Sequence, residues 1–369
     1  MTPVLPQIVD VFGISRQHVA LLVTFFTLPG VFLGLLFGIL TDRIGRRQIL
    51  VPSLLLFGVA GVLCGFAPNF SVMLFFRFLQ GIGGAVLGTI SVTILGDNFR
   101  GHDLVKAMGY NSSVLSVATA SYPALGGILA SVHWRLPFFL PALAVIVAVW
   151  VIVSLKSPEP EKKEQLKGYL KNALSGVFNL RLGFIFGLGF LTFMLLYGPY
   201  LSFLPLYTAE RYHTSPLLIG MLFSVASISS AFTSSRLGFI SKRLSQRTIL
   251  LISFILYTVT FFGISICNCI EVMFLPVIAF GIAQGLNLPT VQNIVASAAP
   301  LEYRGAFMSF NTTIFRLGQT LGPLLAALVY SNSSMKGVFR AGGVLSFIVF
   351  ISLLIFGSVI SKGKKETTA

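Results

Sequence analysis

The chain has 369 residues, of which 55% are apolar and only 10% charged, and its mean hydropathy is +0.89. Soluble globular domains carry about a quarter charged residues, so this composition excludes one. A net charge of +15 would suit a nucleic-acid partner, but the distribution of that charge along the chain points elsewhere.

A helix needs about 20 apolar residues to cross a bilayer, and lipid leaves the backbone of such a run no partner but itself. The chain opens on "PVLPQIVDVF" at residues 3–12, too short to cross alone; we expect it to be the outer end of a first helix whose first half is missing. Eleven full spans follow, over 19–40, 48–67, 70–96, 108–131, 136–155, 181–207, 216–240, 248–266, 272–298, 307–330 and 337–360, numbered here as spans 2 to 12. Residues 156–180 hold the only long polar segment, a linker with a short surface helix expected at 163–174. It separates residues 1–155 from residues 181–369, and a basic tail, "SKGKKETTA", ends the chain.

Assigned alternately to the two membrane faces, the loops are strongly asymmetric. Of the 26 Lys and Arg, only Arg16, Arg135, Arg211, Lys336 and Arg340 fall on the face opposite "TDRIGRRQ", and Arg77 and Arg316 lie inside spans. All others share one face. Excess Lys and Arg mark cytoplasmic loops, so residues 41–48 and the C-terminus are expected in the cytoplasm. The charge reports topology, and no nucleic acid is expected as a partner.

Shifted by 200 residues, the sequence matches itself. "AMGYNSSVL" at 107–115 lies over "FMSFNTTIF" at 307–315, so Asn111 meets Asn311 and Ser112 meets Thr312; Pro123 falls on Pro323. Gly38, Arg43 and Arg47 fall on Gly238, Arg243 and Arg247, and a four-residue adjustment brings Gln80–Gly81 onto Gln284–Gly285. Two repeats of six spans running in the same direction are one design of secondary transporters.

The turn between spans 2 and 3 reads G-x-L-x-D-R-x-G-R-R, with Gly38, Leu40, Asp42, Arg43, Gly45, Arg46 and Arg47, and span 4 carries R-x-x-Q-G as Arg77, Gln80 and Gly81. In these motifs the chain resembles the major facilitator superfamily over essentially its whole length, and most of all the twelve-span drug:proton antiporters. Their span-5 pattern, G-P-x-x-G-G, is present with Tyr122 for the first Gly, then Pro123, Gly126 and Gly127. In the C-terminal copy of the turn motif, Lys242 replaces the Asp and Ser245 the Gly. The resemblance implies an all-α membrane protein of two six-helix bundles related by a pseudo-two-fold axis, alternating access, and efflux driven by protons. It also implies a multi-pass protein of the inner (plasma) membrane, a monomer with small-molecule substrates and the lipid bilayer as partners.

Physical chemistry gives the turn motif a task. Gly38 allows close helix approach, Gly45 a tight turn, and Asp42 can pair with Arg46 or sit at a helix N-terminus, where negative charge is favoured. Asp97, at the end of span 4, is a second acid for Arg46. We expect Asp42, Arg46 and Asp97 to form a latch that closes the cytoplasmic side while the outside is open; a solvated turn that only sets topology is the alternative.

Ionisable residues within spans are costly and usually functional. Arg77 shares a helical face with Gly81, Gly84 and Gly88; it serves either proton and substrate handling or the packing of span 4. Arg316, near the middle of span 11, shares a stripe with Thr312, Gln319 and Thr320. Gln284, Asn287 and Thr290 of span 10, Gln80 of span 4, Asn111, Ser112 and Ser116 of span 5 and Asn311 of span 11 are further candidates for a central cavity. Span 7 adds Phe193, Tyr197 and Tyr200 within an aromatic series suited to flat apolar solutes. No Asp or Glu sits at mid-membrane in spans 2–12, which favours neutral or anionic solutes over cations.

Other chemistries find no support. Cys64, Cys267 and Cys269 lack a metal-ligand spacing, "GIGGAVLG" has no strand before it to make a phosphate loop, and the four His lie at loop edges. We expect no enzyme, metal or cofactor. A membrane sensor that does not transport is the competing reading from another class.

Overall fold

The computed structural model describes residues 2–155, 180–298 and 304–357, so the expected surface helix at 163–174 and the basic tail lie outside the described residues. A 3₁₀ turn, Thr2–Val4, leads into α1 (Leu5–Phe12). Then come α2 (Leu21–Ile44), α3 (Arg46–Gly65), α4 (Phe70–Asn98), α5 (Gly101–Val132) and α6 (Ala142–Ser154). The second half holds α7, built of Leu180–Leu195, a π-helical stretch Leu196–Phe203 and Leu204–Tyr212, then α8 (Pro216–Ser235), α9 (Gln246–Ile266), α10 (Ile270–Ala298), α11 (Arg304–Asn332) and α12 (Met335–Phe356). Eleven helices among the described residues are long and apolar enough to span a membrane, matching the eleven expected.

Packing repeats between the halves. In the first, α4 packs on α2 and α3, and α3 on α6; in the second, α10 packs on α8 and α9, and α9 on α12. The contacts between halves are paired in the same way, α2 with α11 and α5 with α8. Exchanging helix n for helix n ± 6 maps one seam onto the other, which is the two-fold relation expected from the 200-residue repeat.

The basic turn differs in detail from the expected loop. Helix α2 runs on through Thr41–Ile44, and only Gly45 breaks it before α3 begins at Arg46. Gly45 has φ +116°, a conformation that side-chain-bearing residues avoid, so one glycine reverses the chain. In the second copy Ser245 instead caps α9, its Oγ accepting from the Thr248 N–H at 3.1 Å. The loss of the glycine thus changes the turn from a one-residue hinge to an N-cap.

Candidate functional site

We refer to the membrane face of Gly45 as the basic side. Here Arg46 Nε donates to Asp97 Oδ2 at 2.8 Å, with both side chains partly exposed. Both residues belong to the N-terminal half, so this pair ties α3 to α4 and does not itself cross to the other half. The side chains of Gly38, Asp42 and Arg43 lie outside the described residues. Arg47 donates from Nη2 to the carbonyl of Ile152 near the end of α6, and its repeat equivalent Arg247 donates to the Leu354 carbonyl near the end of α12, at 2.7 Å. Each places a cation at a helix C-terminus, where the exposed carbonyls favour it.

Arg77 lies inside the N-terminal bundle. Its side chain is 6% exposed, Nη1 donates to Gln80 Oε1 at 2.6 Å, and the guanidinium lies over the rings of Phe26 and Phe138 at 5.7 and 5.4 Å. Gln80 is buried with it. Neither residue lines an open cavity in this conformation: the expected proton- and substrate-handling Arg77 and cavity-lining Gln80 are packed among α2, α4 and the segment before α6. Tyr200, also expected at the cavity, is likewise buried in this conformation. It stacks flat on Phe280 at 3.7 Å and meets Phe223 edge-on, which places it in the C-terminal core.

The seam between halves is built on the side opposite the basic turns. Thr24 Oγ1 donates to the Thr320 carbonyl at 3.2 Å, and Thr320 Oγ1 donates to Thr27 Oγ1 at 3.0 Å, joining α2 to α11. At the related seam, a Cβ on Gly127 of α5 would lie 2.5 Å from the Pro216 carbonyl, and one on Gly220 of α8 would lie 2.5 Å from the Pro123 carbonyl. Backbones this close leave no room for a side chain. An exposed ion pair, Arg16 with Glu210 at 3.3 Å, also crosses between halves; pairs so exposed contribute at most about 1 kcal/mol.

Below the threonine contact, one turn closer to the basic side, sits Arg316. Its side chain rests on Gly30 of α2, where a Cβ would come within 2.9 Å of Arg316 Cδ, and Tyr197 of α7 is its electrostatic neighbour. The guanidinium is half-buried and makes no hydrogen bond or ion pair among the described residues. Tyr197 and Phe315 flank Phe193, with ring centroids 6.2 and 4.5 Å away. Gln319 and Thr312, half-buried, share the Arg316 helix. On α5, Asn111 is half-buried and Ser112 and Ser116 are exposed.

The remaining candidates form separate contacts in the C-terminal half. Thr192 Oγ1 donates to Asn287 Oδ1 at 3.0 Å, and Tyr257 OH donates to Gln284 Oε1 at 2.5 Å. Asn287 and Asn311 are fully buried, and Asn287 Nδ2 and Asn311 Oδ1 have no hydrogen-bond partner among the described residues. Sequence reasoning missed Thr24, Thr27 and Gly30, because two threonines and a glycine in an apolar run carry no pattern without their partner helix. It also missed the π-helical stretch, which the pair Gly198–Pro199 could have signalled: Pro199 has no N–H to give, and Ser202 Oγ donates to the Tyr197 carbonyl at 2.7 Å. No group of three or more His, Cys, Asp or Glu able to hold a metal occurs among the described residues.

The sequence profile described as the Major Facilitator Superfamily matches residues 1–278 and 186–368, together the whole length of the chain. The protein belongs to the Major Facilitator Superfamily. Among major facilitator relatives, the quinolone resistance protein NorA of Staphylococcus aureus is 25% identical over 367 residues, covering 95% of this chain and 91% of NorA. The bacillibactin exporter of Bacillus subtilis is 26% identical over 382 residues, covering 99% and 94%. The fold is similar to the solved nucleoside transporter NupG, with a TM-score of 0.82 at 13% identity over 96% of this chain and 94% of that one. This major facilitator protein is therefore a multi-pass membrane transporter of small molecules, a family of transporters and not of enzymes.

Proposed function

We propose that this transporter exports small amphipathic compounds in exchange for protons, by alternating access across the plasma membrane with its basic side and C-terminus in the cytoplasm. The observation that carries the reading is the pair of seams, α2 with α11 and α5 with α8, which join the two bundles on the extracellular side above a half-buried Arg316. In this orientation the structure is the outside-closed state. The efflux direction is supported by similarity to proteins named for quinolone resistance and for bacillibactin export. Purified protein in proteoliposomes, loaded with norfloxacin and given a pH gradient, is expected to show flux that a protonophore abolishes. Absence of gradient-dependent flux for norfloxacin and for a panel of amphipathic acids would overturn the reading of proton-coupled export.

The charged turn takes part as a latch in this reading. Arg46 paired with Asp97 holds the start of α3 against α4, leaving Asp42 to close the cytoplasmic side against a helix N-terminus of the other half. Asp42→Asn is expected to slow transport about tenfold while leaving the amount of folded protein unchanged. A wild-type rate would reduce the motif to a topology signal.

A further inference from the structure

We propose that Arg316 anchors a single anionic group on the transported solute, whose flat apolar body lies against Tyr197; this deepens the transport reading given above and rests on it. The guanidinium stands within a span, half-buried, at the seam between halves, with no hydrogen bond or ion pair among the described residues. A charge at this depth is costly unless paired, and no Asp or Glu of the sequence lies at mid-membrane in α2–α12 to pair with it. The other intramembrane cation, Arg77, differs on each count: it is bonded to Gln80, roofed by two rings and closed off from any cavity. Of these two intramembrane arginines, Arg316 is the one that is half-buried and without a hydrogen bond or ion pair among the described residues.

Its surroundings select the rest of the ligand. Gly30 lets the Arg316 side chain lie directly against α2, where a Cβ would come within 2.9 Å of Cδ and 3.0 Å of Cζ. Tyr197 is the electrostatic neighbour of the cation, and its half-buried ring, backed by the buried Phe193, offers an aromatic face. Guanidinium and carboxylate match in a planar, two-point fashion that a point charge does not reproduce. A planar aromatic acid fits this arrangement; a cation of the same shape is repelled. Because Arg316 also touches α2, the anion would sit where the two bundles join.

The test compares three probes of one shape, 2-naphthoate, 2-naphthalenemethanol and 2-naphthylmethylammonium, by calorimetry with the full-length protein in lipid nanodiscs and empty nanodiscs as the blank. Wild-type protein is expected to bind the acid best and the ammonium least. Arg316→Gln is expected to weaken the acid about tenfold or more, the loss of a charged hydrogen bond, with the alcohol unchanged, which also shows the variant to be folded. Arg316→Lys is expected to fall between. Equal acid affinity in Arg316→Gln, preference for the ammonium, or no acid binding to wild type would each overturn the proposal. Since binding is read without a gradient, loss of proton-driven flux with acid binding intact would sink the transport reading alone.

Discussion

Gly127→Val is expected to abolish transport by holding open the side opposite the basic turns. At this position a Cβ would lie 2.5 Å from the Pro216 carbonyl and 3.1 Å from Leu217 Cα, and both are backbone atoms that no rotamer change can move aside. Overpacking of this kind costs about 1–3 kcal/mol, enough to shift a two-state gate by roughly 5- to 150-fold. In the proposed cycle the α5–α8 seam belongs to the state closed on this side, so the cost would fall on that state and not on folding. Spin labels on the extracellular ends of α5 and α8 should report a longer distance in the variant, with normal yield of folded protein. Gly220→Val should behave alike, since its Cβ would meet the Pro123 carbonyl from the other side. Gly88→Ala is the control, with nothing within 4 Å of the added atom. Normal transport by Gly127→Val would show that the seam is not a gate.

Arg77→Lys is expected to cost stability before it costs transport. The guanidinium spans a hydrogen bond to Gln80 and two ring faces, an arrangement that a single ammonium cannot fill. Losing one charged hydrogen bond and weakening two cation–ring contacts amounts to about 2–4 kcal/mol. The midpoint of thermal denaturation in detergent should fall, and transport per folded molecule should stay near wild type. A variant of wild-type stability that no longer transports would return Arg77 to proton or substrate handling.

The spans, the repeat and the basic turn were legible because each is written in consecutive residues. Apolar length marks a span, and a 200-residue shift lays Asn111 over Asn311. Partners on distant helices leave no such trace. Arg77 and Arg316 look alike as lone cations in apolar runs, yet one is stacked in a bundle and the other stands at a seam; the difference lies in Phe26, Phe138 and Gly30, which sequence spacing cannot connect to them. The burial of Tyr200 was hidden for the same reason. An aromatic face on one helix says nothing of whether a Phe280 waits opposite. The turn motif was found, but that helix α2 would continue through Thr41–Ile44 up to Gly45 was not, since charged residues read as a loop.

The twin arginines that reach the ends of α6 and α12 have a separate consequence. Arg47 and Arg247 survive in both copies of the turn, while the acid and the glycine survive in one. The last helix of each half is therefore clasped at its basic-side rim by an equivalent arginine. Under the proposed latch the two copies of the turn divide the work: both hold an outer helix, only the first keeps the acid and the glycine, and a nearly symmetric scaffold would be triggered from one half alone.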